Sequence, residues 1–267
     1  MTIALYIRTI DSQSEPYLRR LKELLASNGI GVVPITGEVL SSSFDFVLSV
    51  GGDGTLLSAV HLIGDQRIPI IGINFGHLGF LTTAGKEDIE GLVADLTAGR
   101  YSIEERTLLQ ADFVVQNGAR PTSQIALNEV VLHRSENTSL LRTDLYVDSR
   151  FVSTYAGDGL IVATPTGSTA YSLSCGGPIL TPDSGCFVIT PIAAHSLTLR
   201  PIIVPDTAHI TLLPHHVGNP VTLSLDSTTA IVNGGGRVEV RRAAHTIPLV
   251  RLNNQNFFSA LHEKLAL

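Results

Sequence analysis

Residues 46–55 read Phe46-Val47-Leu48-Ser49-Val50-Gly51-Gly52-Asp53-Gly54-Thr55, an apolar run followed by three glycines around one carboxylate. The apolar run predicts a buried strand, and we expect a helix over residues 55–62. Glycines let a ligand approach the backbone closely, and the start of a helix presents N–H groups to an anion. Asp53 would repel a phosphate unless it meets a metal ion or a hydroxyl proton. The turn therefore favours phosphate chemistry in which Asp53 has a role of its own.

The turn matches neither of two common nucleotide-binding motifs. The dinucleotide fingerprint G-x-G-x-x-G is absent at this turn, and no lysine follows the last glycine as it does in a Walker A loop. A glycine-rich turn after a strand is also common as a purely structural feature. GGDG alone is therefore compatible with either a phosphate-binding turn or a structural one.

Composition bounds the class of protein. The chain has 267 residues and a mass of 28.5 kDa, which allows one large domain or two medium ones. Apolar residues make up 44% of the chain and charged residues 16%, which excludes a largely disordered protein. No run of 18 apolar residues occurs, so the sequence predicts no membrane span or membrane partner.

Charge and cysteine usage narrow the partners and the compartment. The net charge is −6 and no basic run with interleaved aromatic residues occurs, which argues against a nucleic-acid partner. Residues 1–7 have the pattern of a first strand and not of a signal peptide. Cys175 and Cys186 form neither a metal-ligand pattern nor a disulfide framework. These features predict a cytoplasmic protein.

The first hundred residues alternate strand and helix signals. Strands are expected at 3–7, 31–35, 46–50 and 69–74, and helices at 16–27 and 86–98. This alternation predicts an α/β N-terminal domain, residues 1–105, with an open and mostly parallel sheet. Ligands of such sheets bind at the carboxyl ends of the strands, where GGDGT falls.

The pattern changes after residue 105 to short strands separated by turn signals. The expected strands are 108–116, 124–132, 143–147, 151–155, 160–163, 187–190, 209–213, 221–225 and 238–242. They predict an all-β, sandwich-like C-terminal domain over residues 106–255. A terminal helix over 256–267 is expected to pack back on the first domain.

Two further segments carry polar residues in suggestive places. Asn128-Glu129 begins an apolar strand, and the run Asp158-Gly-Leu-Ile-Val-Ala-Thr-Pro-Thr-Gly-Ser-Thr-Ala-Tyr-Ser-Leu-Ser174 joins a strand to a hydroxyl-rich loop and a short helix. Each is ambiguous alone, since polar residues at strand ends are common in loops and hydroxyls at a helix start often act as caps.

In this order, however, the segments resemble the NAD kinase family. GGDGT is shared with a wider superfamily that includes diacylglycerol, sphingosine and phosphofructo-kinases, and the long run ending at Ser174, with the Gly-Gly-Pro-Ile that follows, narrows the resemblance. It covers roughly residues 46–205 by motif. It implies an enzyme that transfers a phosphoryl group to the 2′-hydroxyl of the adenosine ribose of NAD, giving NADP, and a homo-oligomer, dimer or tetramer, whose NAD site a neighbouring subunit completes.

The resemblance also implies the phosphate donor and the cofactor. ATP is the default donor, and inorganic polyphosphate remains open because Ala156 stands where some members carry a basic residue. Because no lysine clamp follows GGDGT, we expect a divalent cation, Mg²⁺ or Mn²⁺, bound mainly through the donor phosphates and without a dedicated metal cage of protein ligands.

The residue roles follow from the same resemblance. Asp53 matches the proton acceptor. The phosphates are expected at Gly51, Gly52, Gly54 and Thr55. The residues expected to contact NAD are Asp53, Gly54, Phe80, Asn128, Glu129, Ser139, Ala156, Asp158, Thr166, Thr169, Ala170, Tyr171, Ser172, Leu173, Ser174 and Thr228. Among them, Phe80 matches an aromatic near the adenine, Asn128 and Glu129 match residues that hold the adenine side and a ribose, and Asp158 a contact of the nicotinamide portion. Tyr171 is expected between the two halves of the dinucleotide. Ser139 and Thr228 fall at positions that vary in the family.

Two other functions remain open at this point. A lipid kinase would explain GGDGT but not the Thr-Pro-Thr-Gly-Ser-Thr-Ala-Tyr-Ser loop. A non-catalytic module that senses NAD or NADP would keep the fold, but the intact Asp53 argues against it.

Overall fold

The structure is a computed structural model that describes residues 1–37, 40, 44–76, 79–116, 118, 121–135, 140–215, 220–252 and 256–265. The chain forms two compact units: residues 1–106 with 245–267 make up the first, and residues 107–244 the second. The domain bounds given above, 1–105 and 106–255, stay a prediction.

The first part of the chain alternates strands and helices. Its elements are β1 Thr2–Ile7, α1 Glu15–Ser27, β2 Gly31–Ile35, β3 Phe46–Val50, α2 Asp53–Ile63, β4 Ile70–Asn74, β5 Ala84–Gly85, α3 Ile89–Thr97 and β6 Tyr101–Val114.

The rest of the chain is rich in strands. Its elements are β7 Pro121–Ala126, β8 Glu129–Arg134, β9 Leu141–Val147, β10 Arg150–Gly157, β11 Gly159–Ala163, α4 Tyr171–Ser174, β12 Cys186–Ile192, β13 Ile202–Pro205, β14 Ile210–Pro214, β15 Pro220–Leu225, β16 Thr228–Asn233, β17 Val238–Leu252 and α5 Phe257–Leu265. The chain passes between the units within β6 and again within β17, and α5 belongs to the first unit.

The first unit contains the predicted parallel sheet. Strands β2, β1, β3 and β4 lie side by side in that order, and the last part of β17 joins parallel to β4, with Leu249 opposite Ile70. Every residue of β3 is buried. One core unites these strands with the apolar faces of α1 and α3, through side chains such as Leu21 and Leu92. The α/β class predicted from the alternating pattern is confirmed.

The second unit is all-β apart from short helical segments, and its sheets are antiparallel. One sheet has the order β13-β12-β11-β8-β15-β16, and a second set of strands runs β10-β9-β14-β17. A single core takes buried side chains from both, among them Leu132 and Phe187 from the first and Leu145 and Leu212 from the second. The predicted sandwich-like class is confirmed, since two sheets that share a core form a sandwich.

Several predicted boundaries are wrong. The strand expected over 108–116 spans Tyr101–Val114, that expected over 238–242 spans Val238–Leu252, and the sequence patterns do not predict β13 or β16.

Two further errors lie close to the candidate site. The helix expected to begin at Thr55 begins at Asp53, because the N–H groups of Thr55 and Leu56 already bond the Gly52 carbonyl at 2.9 and 3.3 Å. The strand expected over 124–132 is interrupted at Leu127-Asn128, where the backbone turns away from its neighbours, giving β7 and β8. The start of α2 at Asp53 is hard to predict because the glycines around it have poor helix propensity. The break at Leu127-Asn128 arises because these residues bond the distant carboxylate of Asp226.

Candidate functional site

The Asp53 carboxylate lies at the first residue of α2 and is held by the backbone of a loop 27 and 28 residues away. Phe80 donates its N–H to Oδ2 at 2.9 Å, and Leu81 donates its N–H to Oδ1 at 3.2 Å. The loop comes so close that a Cβ on Gly79 would lie 1.9 Å from Oδ1. A glycine is therefore required at position 79 for this approach.

The glycine-rich turn lies at the carboxyl end of β3, beside the end of β4. Gly51 donates its N–H to the Ile73 carbonyl at 2.8 Å, which joins the ends of the two strands. Gly54 is exposed, and Gly51, Gly52 and Thr55 are partly buried. Because the first turn of a helix leaves backbone N–H groups without intrahelical acceptors, the start of α2 suits a phosphate group.

Phe80 also lines a cleft of about 190 Å³, together with Phe257 and Ala260 of α5. The structure therefore brings together, in the first unit, the residues expected at the proton acceptor and the phosphates, with Phe80 next to them.

In the second unit, Asn128 and Glu129 lie in a tight turn that binds a carboxylate. Asp226 accepts the N–H groups of Leu127, Asn128 and Glu129 at 2.6, 2.9 and 3.1 Å, and its own N–H bonds the Glu129 carbonyl at 3.2 Å. Asp226 has a φ of +49°, in the left-handed region that Asp tolerates better than most residues. No sequence motif marks Asp226, whose only signal is the turn between β15 and β16.

Glu129 is a partly buried acid, and one of its carboxyl oxygens is buried without a hydrogen-bond partner among the described residues. Its Oε2 is inaccessible to solvent and makes no hydrogen bond with any of the described residues. Burial, and then repulsion from Asp226, raise the pKa of Glu129 to about 8. Glu129 is therefore mostly protonated at pH 7, and its carboxyl group can both donate and accept a hydrogen bond.

The hydroxyl-rich loop is packed against this turn. Thr164 donates its hydroxyl to the Leu127 carbonyl at 2.6 Å and its N–H to the Asn128 carbonyl at 2.9 Å. A Cβ on Gly167 would lie 2.1 Å from the Asn128 carbonyl oxygen, so the two backbones touch. Gly167 therefore allows the loop to pack directly against the backbone of the Asn128-Glu129 turn.

Several hydroxyls of this loop serve the fold. Ser168 donates its hydroxyl to the Pro165 carbonyl at 2.6 Å and accepts the Leu180 N–H at 2.9 Å. The Ser172 and Thr190 hydroxyls lie 2.8 Å apart, and both residues are fully buried. The candidates left partly or fully exposed are Thr169, Ala170, Tyr171, Leu173 and Ser174, whereas Thr166 is buried.

Tyr171 and Asp158 line an open pocket of about 360 Å³ together with His133, Arg134 and Ile192. The Tyr171 ring stacks on the His133 ring at 6.0 Å between centroids, and Arg134 donates through Nε to Asp158 Oδ1 at 2.6 Å. Burial lowers the pKa of His133, and the nearby Asp158 opposes the shift in part. Sequence reasoning missed His133 and Arg134, whose place on a β-strand gave no signal of a pocket.

The remaining candidates lie apart from this pocket's lining or outside the described residues. Ala156 is in β10, where its carbonyl accepts the His195 N–H at 2.8 Å. Thr228 begins β16 and donates its hydroxyl to the Leu225 carbonyl at 3.0 Å. Ser139 lies outside the described residues.

Neither a cluster of metal-ligating side chains nor a membrane-spanning helix occurs among the described residues. No group of three or more His, Cys, Asp or Glu side chains lies placed to hold a metal ion within the described ranges. Among those same residues, no helix has the length and apolar character needed to cross a membrane.

Comparisons with known proteins match both halves of the chain to one family. Residues 32–101 match the model of the ATP-NAD kinase N-terminal domain, and residues 127–252 that of the ATP-NAD kinase C-terminal domain. The NAD kinase of Cytophaga hutchinsonii is 43% identical, over 83% of this chain and 75% of its own. The NAD kinase of Flavobacterium johnsoniae is 35% identical, over 99% of this chain and 97% of its own.

Solved structures share the fold. An NAD kinase from Archaeoglobus fulgidus in complex with ATP has a TM-score of 0.83 and 28% identity, over 100% of this chain and 99% of its own. Yeast NADH kinase complexed with NADH has a TM-score of 0.89 over 100% of this chain and 88% of its own, and at 24% identity it is a likeness of fold. The two domain models together cover most of the chain, and close relatives align over nearly all of it, so this chain belongs to the ATP-NAD kinase family.

Proposed function

We propose that this enzyme uses Asp53 as the proton acceptor when it transfers a phosphoryl group from ATP to the 2′-hydroxyl of the adenosine ribose of NAD. The reaction is that of an NAD kinase, and its product is NADP. The observation that carries the proposal is the position of Asp53, a carboxylate at the first residue of a helix that follows a buried strand. A ribose hydroxyl is a weak acid, so a carboxylate within hydrogen-bond reach must orient it and accept its proton.

The chemistry divides between charge stabilisation and proton transfer. Phosphoryl transfer depends mostly on positioning and on neutralising the charge of the phosphates. The proposed phosphate contacts at the start of α2 are Gly51, Gly52, Gly54 and Thr55. The N–H groups of Gly51 and Thr55 already bond the Ile73 and Gly52 carbonyls, so those of Gly52 and Gly54 are the ones proposed to face phosphate oxygens. Phe80 and Leu81 each donate an N–H to a different oxygen of the Asp53 carboxylate, which fixes its orientation.

ATP is the proposed donor, and it enters as a complex with Mg²⁺ or Mn²⁺. The relative from Archaeoglobus fulgidus was solved with ATP, which supports this choice over polyphosphate. The described residues offer no cage of three metal-ligating side chains, so the cation takes most of its ligands from the donor phosphates. A bound cation of this kind neutralises phosphate charge.

Most of the proposed NAD contacts belong to the second unit. Asp53, Gly54 and Phe80 belong to the first, and Phe80 is proposed to lie near the adenine. Asn128 and the protonated Glu129 are proposed to hold the adenine side and a ribose. Tyr171 and Asp158 share one pocket, which agrees with their proposed contacts to the two halves of the dinucleotide and to the nicotinamide portion. The other proposed contacts of NAD are Gly54, Ser139, Ala156, Thr166, Thr169, Ala170, Ser172, Leu173, Ser174 and Thr228.

The assembly and compartment are proposed from the family resemblance and from composition. We assign a cytoplasmic homo-oligomer, dimer or tetramer, in which a neighbouring subunit completes the NAD site. Sedimentation of the purified chain at micromolar concentration tests the assembly, and a monomer that is fully active would contradict it.

The function is tested by following NADP formation from NAD, ATP and Mg²⁺ with an NADP-specific dehydrogenase. We expect NADP to accumulate, and excess EDTA to reduce turnover to background because the triphosphate then lacks its cation. Added Mg²⁺ should restore the rate. If a folded preparation forms no NADP with any donor, the proposed NAD kinase activity is refuted. Undiminished turnover in EDTA would refute only the requirement for a divalent cation. A diacylglycerol or sphingosine acceptor in place of NAD should give no product.

Tyr171→Ala is expected to raise KM for NAD by about 3- to 10-fold, the range lost with one aromatic contact. KM for ATP should change by less than about twofold, because the ring lines a pocket of the second unit and not the phosphate turn. Tyr146→Ala is the matched control, since Tyr146 packs edge-on against Phe151 and lines a different pocket, with Ser149 and Thr211. Equal effects of Tyr171→Ala on both substrates would indicate a structural role in the loop.

A further inference from the structure

One residue links the Asp53 carboxylate to the last strand of the first unit. Phe80 donates its N–H to Asp53 Oδ2 at 2.9 Å, and its carbonyl accepts a hydrogen bond from Arg251 Nη2 at 3.2 Å. A peptide segment bonded on both sides cannot shift without breaking one of these contacts. The orientation of the Asp53 carboxylate is thus coupled to the position of the Arg251 guanidinium.

Arg251 is itself fixed in place. Its Nε donates to Glu104 Oε2 at 2.9 Å, and Arg106 donates to the same carboxylate. The side chain of Arg251 is 15% exposed and that of Arg106 only 3%. Burial opposes ionisation of Glu104, but the two guanidinium groups outweigh it and lower the pKa of this carboxyl group. The guanidinium of Arg251 therefore contacts an ionised partner on one side and the Phe80 carbonyl on the other.

The neighbouring residue of the same strand holds the same loop. Thr83 is fully buried and donates its hydroxyl to the Val250 carbonyl at 2.8 Å. The loop that carries Gly79, Phe80 and Leu81 is therefore attached to β17 at two consecutive residues, Val250 and Arg251. Of these two attachments, only that of Arg251 depends on a side chain of β17 and can be removed by substitution there.

We propose that Arg251 is a positioning residue for phosphoryl transfer, which holds the Phe80 peptide so that the Asp53 carboxylate faces the ribose hydroxyl. The inference rests on the proposed role of Asp53. Arg251 touches neither Asp53 nor the reacting atoms, and it acts through the Phe80 peptide. Its guanidinium is suited to the task because it donates in two fixed directions at once, which a lysine ammonium does not.

The surroundings of Arg251 allow a direct test of this role. Arg251 lines the cleft of about 190 Å³ next to Gly79, Phe80 and α5. Truncation to alanine would enlarge this cleft by the volume of the guanidinium and leave it open to solvent. Free guanidinium, a small planar cation with the same donors, can then enter and bridge Glu104 and the Phe80 carbonyl.

The experiment compares Arg251→Ala, Arg251→Lys and the control Arg242→Ala. Arg242 lies on the same strand and pairs with Asp206 at 2.8 Å in the second unit. We expect Arg251→Ala to lower kcat by about 10- to 100-fold, the cost of misplacing a catalytic group by about 1 Å, with KM for NAD and ATP within about threefold of the parent. Arg251→Lys should lose less, and Arg242→Ala should keep its kcat.

Guanidinium chloride at tens of millimolar, far below the molar range that unfolds proteins, should restore kcat of Arg251→Ala at least fivefold. It should have no such effect on Arg242→Ala or on Asp53→Asn. In an Asp53→Asn background, Arg251→Ala should change kcat by less than about threefold, because the group that it positions is gone.

The results that would contradict the positioning role of Arg251 differ from those that would contradict the role of Asp53. An unchanged kcat in Arg251→Ala, or a loss that follows only the unfolded fraction with no rescue by guanidinium, overturns the inference. If Arg251→Ala does not fold, Arg251→Lys carries the test, and a normal kcat in that variant overturns it equally. An active Asp53→Asn enzyme would refute the proposed role of Asp53, whereas an inactive Asp53→Asn with a fully active Arg251→Ala would refute the positioning role alone.

Discussion

Asp53→Asn is expected to lower kcat by ~10²–10⁴-fold, the range that general base catalysis supplies, while the dissociation constant of NAD changes by about tenfold or less. Asparagine keeps the size of the side chain and removes the base. The structure adds a second effect of this substitution. Both carboxylate oxygens accept backbone N–H groups, from Phe80 and Leu81, so an amide NH₂ would face one of these donors. The variant should therefore also lose about 1–3 kcal/mol of stability.

The two effects are separated by measuring kcat, NAD affinity and thermal unfolding on one preparation. A base role predicts a large loss of kcat in protein that is fully folded at the assay temperature. Asp45→Asn is the matched control, because Asp45 also accepts a backbone N–H, that of Thr2 at 2.6 Å, elsewhere in the first unit. It should keep near-normal kcat. Near-normal kcat in Asp53→Asn would instead show that Asp53 has a structural role, through its hydrogen bonds from Phe80 and Leu81, and does not act as the base.

Glu129→Gln is expected to change how stability depends on pH. Burial and Asp226 raise the pKa of Glu129 from 4.5 to about 8 in the folded protein. The folded state then holds a proton that the unfolded state releases above about pH 4.5, so the contribution of Glu129 to stability is fully present below that pH and is lost as pH rises toward 8. Glutamine does not titrate, so the variant should match the parent near pH 4.5 and exceed it at pH 8 by roughly 4 kcal/mol.

Denaturant unfolding at pH 5, 6, 7 and 8 measures this difference. Glu23→Gln on the exposed face of α1 is the control, and its stability should run parallel to that of the parent across the series. A Glu129→Gln curve that also runs parallel, or that falls below the parent at pH 8, would show that Glu129 is ionised in the folded protein. Its proposed contact to a ribose would then use an acceptor only.

Local patterns were enough to predict both folds and most of the strands. The run Phe46–Val50 is buried throughout, as an uninterrupted apolar stretch before glycines indicates. The alternation of strands and helices in the first hundred residues, and its loss afterwards, gave the two architectures. One error lies where local and distant interactions compete: three consecutive N–H groups near residue 128 bond a carboxylate up to 99 residues away in place of a neighbouring strand.

The sequence by itself determined which chemical groups are present and which short segments carry them: Asp53 among glycines, Asn128 beside Glu129, and the loop that ends at Ser174. Only the tertiary structure decided how these groups are oriented and whether they are charged. Phe80 orients Asp53 from 27 residues away, and Arg251 holds the Phe80 carbonyl across 171 residues. Such contacts depend on the order in which strands join a sheet, which places β17 beside β4 and leaves no periodicity in the sequence. The charge of Glu129 is decided in the same way, since burial sets it and burial is a property of the packed chain.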